Sequence, residues 1–388
     1  MKPYRPALLL GLLGLLALAA LSRKTNADWA HAGLRESVGP ARAPHAMPGV
    51  DAERTRHTSA TLSKSPHVEG RLRVAYGVGH GLVTRGDGGF FVLHPSARAS
   101  RFDAQGKLLY SLKLAAEPAS APVVTSNGKS AFVASGELYQ VDDHGRVSSR
   151  TALGDADFSA RSILSTRDGS VVVASSGLLV KIGAFGDVVW RKSSPETPLE
   201  LLETSAGLLC VTAPGSVYRL DGAGRLSKLG ELGATTNAVT AAHAGRELFA
   251  RTGNHRLVSF DLSEHRLRAS IEDATLELDG PILLGQDALT QAFTSDGLLV
   301  RYRPDGSEAQ RVPIDPGARK APGNDDALQL ADGRLLVARA GADVAVVTPS
   351  GEVLTIGGSA CPDPVGIFAA GPRAALLACR SGNMLRLE

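Results

Sequence analysis

Few side chains in this sequence stand at the spacings that chemistry requires. A Gly-Lys-Ser triplet occupies 128–130 within TSNGKSAF, yet a phosphate-cradling loop needs another glycine five residues before Gly128, and residue 123 is Val. Asn127-Gly128 instead sits between two apolar runs, where a hairpin turn places that pair. GVGHG at 77–81 is too short for a dinucleotide fingerprint and reads as a crossing between elements. The ten histidines are scattered. His31, His45, His57 and His67 lie in a Pro-rich segment and His144 and His265 in turns; His80, His94, His243 and His255 meet only if neighbouring loops converge. No pair has zinc-ligand spacing. The sequence therefore assigns no catalytic residue, no metal site and no cofactor.

Composition bounds what must position any site. Of 388 residues, 43% are hydrophobic, enough for a folded core, while only 5% are aromatic and 43 are glycine, which favours many turns over a few large helices. Residues 1–70 carry nine Lys/Arg against five Asp/Glu; the remainder carries 33 against 34. The body is near neutral and offers no broad cationic field, which argues against nucleic-acid binding.

Lys2 and Arg5 precede an apolar stretch from Ala7 to Leu21. The pattern of residues 1–22 fits a secretory signal peptide, with LALAA supplying small residues for cleavage. Arg23 and Lys24 follow at once, so an uncleaved membrane anchor through residues 7–21 stays open. No Cys follows the apolar run to carry a lipid. Either way the body is expected to be exported, to the periplasm or cell envelope. Residues 23–67, rich in Ala, Pro, Arg, Ser and Thr without a sustained period, read as a disordered linker.

From residue 68 a unit of about forty residues recurs: four short apolar strands separated by Gly, Asp, Asn and Ser. SILSTRDGSVVVASSGLLVKIGAFGDVVWRKS at 162–193 shows all four. The turn before each last strand sets the register. It places Gly106, Gly145, Gly186, Gly224, Gly306 and Gly351 at separations near forty, with Glu264 filling the remaining place. Four strands at this period are the mark of a β-propeller blade, whose exposed sheet face only the next blade covers. Seven complete units begin near 82, 122, 162, 199, 238, 281 and 327; an eighth stops after three strands at NMLRLE, 383–388. EGRLRVAYG at 69–77 is the lone strand that would complete it, closing the ring without an orphan edge. The expectation is an all-β, eight-bladed propeller over 68–388, with seven blades as the alternative.

FGDVVW puts Trp190 four residues after the turn Gly186. In this the chain resembles the quinoprotein-type (PQQ-like) propeller repeats, in which that Trp docks between blades. The equivalent positions hold Val74, Tyr110, Ser149, Lys228, Gln310 and Thr355, so the docking aromatic is expected only at Trp190. Enzymes of this family hold calcium with Glu, Asn and Asp and often carry adjacent cysteines over a quinone. This chain has no adjacent cysteines and only short connections, which the resemblance reads as a non-enzymatic branch. The architecture is similar to the propeller subunit of the outer-membrane barrel-assembly machinery, an interaction scaffold that is a lipoprotein, as this chain is not.

Cys210 and Cys379 occupy equivalent second strands, and Cys361 lies in the loop before the last blade. In an oxidising compartment Cys361 and Cys379 can pair and tie that loop to the closing blade; otherwise two are small core hydrophobes and one a loop thiol. The longest connections between blades carry Asp155, Asp157, Asp325, Asp326 and Asp363 toward one rim. Such a rim would hold a cation or a basic peptide, or be ordinary solvated loop tips. The expected function is an exported, non-enzymatic scaffold binding a protein partner. The alternative is a ligand- or cofactor-binding enzyme at the channel mouth, a quinone-dependent oxidoreductase or a lyase.

Overall fold

The computed structural model describes residues 58–388 other than 80, 155–159, 234, 243–245, 286–288, 304, 316–325, 340–342 and 358–360. Residues 1–57, with the apolar stretch 7–21, lie outside the described residues. Every regular element among the described residues is a β-strand, and the strands form eight antiparallel four-stranded sheets. Blades 1 to 7 run in plain chain order: 82–113, 123–152, 162–193, 198–231, 236–272, 278–313 and 327–356. Blade 8 takes its first three strands from Pro364–Ala369, Ala375–Cys379 and Asn383–Leu387, and its fourth from Val68–Arg73. Arg71 stands opposite Leu385, Leu72 opposite Met384 and Arg73 opposite Asn383, so the two ends of the body close the ring by strand pairing. Most second strands are buried along their length, as in FFVLH of blade 1 and VVVA of blade 3, because each lies between two neighbouring blades.

Turns sort onto two faces. The turns joining first to second and third to fourth strands form a turn face; the second-to-third turns and the connections between blades form a loop face.

On the turn face, each blade grips the next. A Cβ at Gly145 would fall 2.7 Å from Tyr110 Cγ, and one at Gly224 would fall 2.6 Å from Trp190 Cδ2. Gly106 meets Leu72 in the same way, Gly186 meets Ser149, and Gly351 meets Gln310. These glycines have φ between 75° and 92°, so the turn needs glycine twice over, for its left-handed backbone and for the contact. The docking position is thus retained with other side chains rather than lost. Tyr110 donates its hydroxyl to Asp142 O at 3.1 Å, and Gln310 Nε2 donates to Ser350 O at 2.7 Å. Two expected positions are corrected. Leu72, not Val74, docks from blade 8, since Val74 lies beyond the strand. In the longer turn of blade 5, His265 and not Glu264 takes the left-handed backbone, at φ 55°.

Polar side chains clamp the same seams. Gln140 Nε2 donates to Gly183 O at 3.2 Å, and Arg386 Nη1 to Ala104 O at 3.3 Å. Arg301, 3% exposed, donates to Pro349 O at 2.6 Å and Thr348 O at 3.1 Å. Each donates to carbonyls in the next blade's turn, which for the buried Gln140 and Arg301 meets the cost of burying them.

Residues 58–67, read from the sequence as the end of the linker, lie packed across the turn face of blades 7 and 8. Thr58 N donates to Gln329 O at 3.0 Å, Ala331 N to Ala60 O at 2.9 Å, and Thr61 N to Pro372 O at 2.9 Å. Ala60 and Leu62 are buried in the cluster of blades 7 and 8, and Arg334 holds the carbonyls of Leu62 and Ser63. Two small apolar side chains and a run of backbone bonds suffice to order this strap, and neither shows as a periodic pattern.

Candidate interaction face over the closing seam

The connection from blade 8 to blade 1 crosses the loop face at the point where the ring closes. Val74 N donates to Gly382 O at 2.8 Å, Val78 N to Arg380 O at 3.2 Å, and Gly79 N to Leu93 O at 2.9 Å. Gly77 passes so near Arg380 O that a Cβ would lie 2.5 Å from it. This tight path throws the preceding residue into the left-handed region: Tyr76 has φ 70°, an uncommon state for a bulky side chain. Its ring is 57% exposed. The guanidinium of Arg98 sits 4.8 Å from the ring centroid, and the His94 ring meets its edge at 6.0 Å.

His94 is fully buried beneath. Its Nδ1 lies 2.5 Å from Gly77 O, which can only accept, so Nδ1 carries the proton and Nε2 is left as a buried acceptor without a partner among the described residues. Burial pushes the imidazole pKa below its ordinary value, the Gly77 carbonyl opposes this, and the Arg98 charge adds to the lowering. The neutral ring therefore serves as a stiff support for an exposed tyrosine.

Cys361 and Cys379 are joined by a disulfide, with Cα atoms 5.3 Å apart, and it ties the connection entering blade 8 to that blade's second strand. Arg380 N donates to Asp363 O at 3.0 Å, while Asp363 Oδ1 is buried without a partner among the described residues. Arg380, next to Cys379 in the chain, gives its carbonyl to Val78 of the link that carries Tyr76, while the disulfide itself packs toward blade 7. Cys210 is buried, and burial pushes its thiol up to about 12.

Of the expected acidic rim, two members are described. Asp155, Asp157 and Asp325 lie outside the described residues. Asp326 and Asp363 are half-buried and built into neighbouring blades 7 and 8, Asp326 O accepting from Ala338 N at 2.8 Å. Among the described residues no group of three or more His, Cys, Asp or Glu is placed to hold a metal ion. His255 of blade 5 donates from Nδ1 to Leu276 O at 2.6 Å, far around the ring from His94, and His144 and His265 sit in turns of the opposite face. His31, His45, His57, His80 and His243 lie outside the described residues.

A second concavity of about 410 Å³ opens in the seam between blades 5 and 6. Phe249, Leu257 and Ile271 line it, with Glu247, Arg268 and Arg303 among its polar neighbours. The register explains it: Ser259 and Ala269 stand opposite each other where blade 6 pairs Arg301 with Gln310 and blade 3 pairs Lys181 with Trp190. Small side chains leave unfilled what long ones elsewhere occupy.

Sequence reasoning passed over Tyr76 and Arg98 and weighed His94 only as one of four scattered loop histidines. The available signal was an aromatic residue directly ahead of GVGHG; exposure and φ emerge only in the closed ring.

No protein-family model matches the sequence, and no curated protein does. Solved structures are similar throughout the body. BamB from Moraxella catarrhalis aligns with a TM-score of 0.64 at 15% identity, over 84% of this chain and 98% of that one. The computationally designed Ika8 protein aligns at 0.65 and 12% identity, over 81% and 98%. Virginiamycin B lyase from Staphylococcus aureus aligns at 0.53 and 14%, over 83% and 99%. The chain is an eight-bladed β-propeller. At these identities the likeness is one of fold, since one propeller architecture serves a lyase and a designed protein alike.

Proposed function

We propose that this propeller is an exported, non-enzymatic scaffold of the cell envelope that binds a protein partner through the loop face over its closing seam. The observation that carries the reading is Tyr76: an exposed ring, held at φ 70°, braced by Arg98 and by a buried His94. Strain of this kind persists only where its surroundings over-determine it, and it concentrates at functional positions. Tyr and Arg are also the side chains most often found at the energetic centre of a protein interface. The Cys361–Cys379 disulfide of blade 8 suits an oxidising compartment, which favours export. The likeness to BamB agrees with a scaffold in general terms. The apolar stretch 7–21, where retained, would tether the body to a membrane.

The test is a photo-reactive residue placed at position 76 and, separately, at Arg225 on the turn face. In the native envelope the 76 variant is expected to give a discrete protein adduct that Arg98→Ala diminishes. Adducts from 225 with none from 76 would move the partner site to the other face and defeat the proposal.

A ligand-binding propeller is the second reading, favoured by the 410 Å³ seam between blades 5 and 6. Its apolar walls with a few polar groups have the make-up of a small-molecule pocket. A panel of small molecules read by a melting shift separates the two, since a ligand of the folded state must raise the midpoint.

A further inference from the structure

Among the described residues, six of the eight exposed large apolar side chains lie on blades 1 to 3; the other two are Tyr76 and Leu354. Leu108 and Leu109 begin the last strand of blade 1, Val147 begins that of blade 2, and Val188 and Val189 begin that of blade 3. All are about half exposed, and Phe185, at the tip of the blade 3 turn, is 89% exposed. They share one height, at the turn face, on three consecutive blades. At the same height blades 5, 6 and 8 begin their last strands with Arg266, Glu308 and Val68-Glu69. Blade 4 begins its last strand with Leu226-Ser227, and blade 7 places a single exposed Leu354 at this height, so the band is concentrated on blades 1 to 3.

We infer that the turn face of blades 1 to 3 rests on a lipid bilayer, with Phe185 inserted among the headgroups. Two features select this occupant. A partner strand added to one outer edge would run along a single blade, over Ser111 and Lys113 in blade 1, and would touch only the end of the apolar band. A planar surface meets one height on successive blades, as these residues demand. The chain also leaves the described body on this face: Thr58, its first described residue, is bonded to Gln329 at the turn-face end of blade 7's first strand. The residues before it include the apolar run 7–21, so a tether and the apolar band would meet the same surface. Lys107 and Arg146, exposed beside Leu108 and Val147, suit the headgroup level, as basic side chains flanking an apolar surface do. Asp187 is exposed beside Val188 and opposes this on blade 3.

The test uses the full chain with Phe185→Cys carrying a polarity-sensitive fluorophore; Cys210 is buried and the other cysteines are paired, so labelling is specific. Ser96→Cys, exposed on the loop face, is the matched control. With vesicles of phosphatidylcholine and phosphatidylglycerol, the label at 185 is expected to shift to the blue and gain several-fold in intensity, while that at 96 is unchanged. In a V188S/V189S background the gain at 185 should fall at least threefold, with the melting midpoint unmoved. No response at 185 would overturn the inference, as would equal responses at 185 and 96. A shift that needs no vesicles and grows with protein concentration would assign the band to a second copy of the chain instead.

Discussion

Trp190 of blade 3 lies against Gly224 of blade 4, so close that a Cβ on the glycine would fall 2.6 Å from Trp190 Cδ2. The pair joins two requirements of the propeller, a left-handed turn at φ 75° and an interblade contact, in one position. Gly224→Ala is expected to lose more than the about 1–2 kcal/mol that a left-handed backbone costs an ordinary residue, because the indole must also move. Trp190→Ala should lose about 3–5 kcal/mol, the usual range for emptying a buried aromatic site. Urea denaturation of the two single variants and the double checks both. Losses that simply add would deny that the residues touch, since contacting pairs couple.

Removing the Cys361–Cys379 bond should destabilise the protein by about 3 kcal/mol, as expected for a closed loop of this size. The separation in sequence is 18 residues. The double Ser variant and the reduced wild type are expected to share one lowered urea midpoint. Free thiols at 361 and 379 in protein taken directly from the envelope would contradict the proposed compartment.

His94 makes stability depend on pH. Its folded pKa lies below the ordinary value of 6.5 because burial disfavours the imidazolium. Below 6.5 the unfolded chain therefore binds more protons than the folded one, and stability falls as pH drops through that value. Its contribution is complete above the unfolded pKa. Comparing wild type with His94→Gln by urea denaturation from pH 8 to pH 5 isolates the effect, and a parallel pair of curves would exclude it.

Tyr76→Gly tests whether the strained residue serves function rather than fold. Glycine relieves the left-handed backbone but frees the unfolded chain and loses the Arg98 contact, so stability should change by less than about 1 kcal/mol. Capture of the cross-linked partner, with the photo-reactive residue moved to Arg98, should fall at least tenfold. A large loss of stability with capture intact would assign Tyr76 to the fold.

Much of the ring was legible because its demands are local. Gly106, Gly145, Gly186, Gly224, Gly306 and Gly351 take the left-handed backbone in the turns of six blades, and their spacing reveals the repeat of about forty residues. The missing fourth strand at NMLRLE was legible for the same reason: an edge left open at one end of the chain matched a lone strand at the other. What escaped depends on neighbours remote in sequence. Tyr110, Ser149 and Gln310 dock as Trp190 does, but only the glycine of the following blade shows that they do. Ala60 and Leu62 are ordinary in a Pro-rich stretch until blades 7 and 8 offer them a seam. Tyr76 owes its exposure to Gly77 passing Arg380 O, a contact between the two ends of the body. Ser259 reads as an unremarkable strand residue, and its smallness matters only beside Arg301 of the next blade.

The fold and the candidate site both depend on the ring being closed by Val68–Arg73 against Asn383–Leu387. Amide hydrogen exchange under native conditions tests this most directly, peptide by peptide. The amides of 68–73 that face 383–387 should be protected as strongly as their partners and should open together with them. Exchange of 68–73 at the fast rate of a fraying terminus, with 383–387 still protected, would contradict the account.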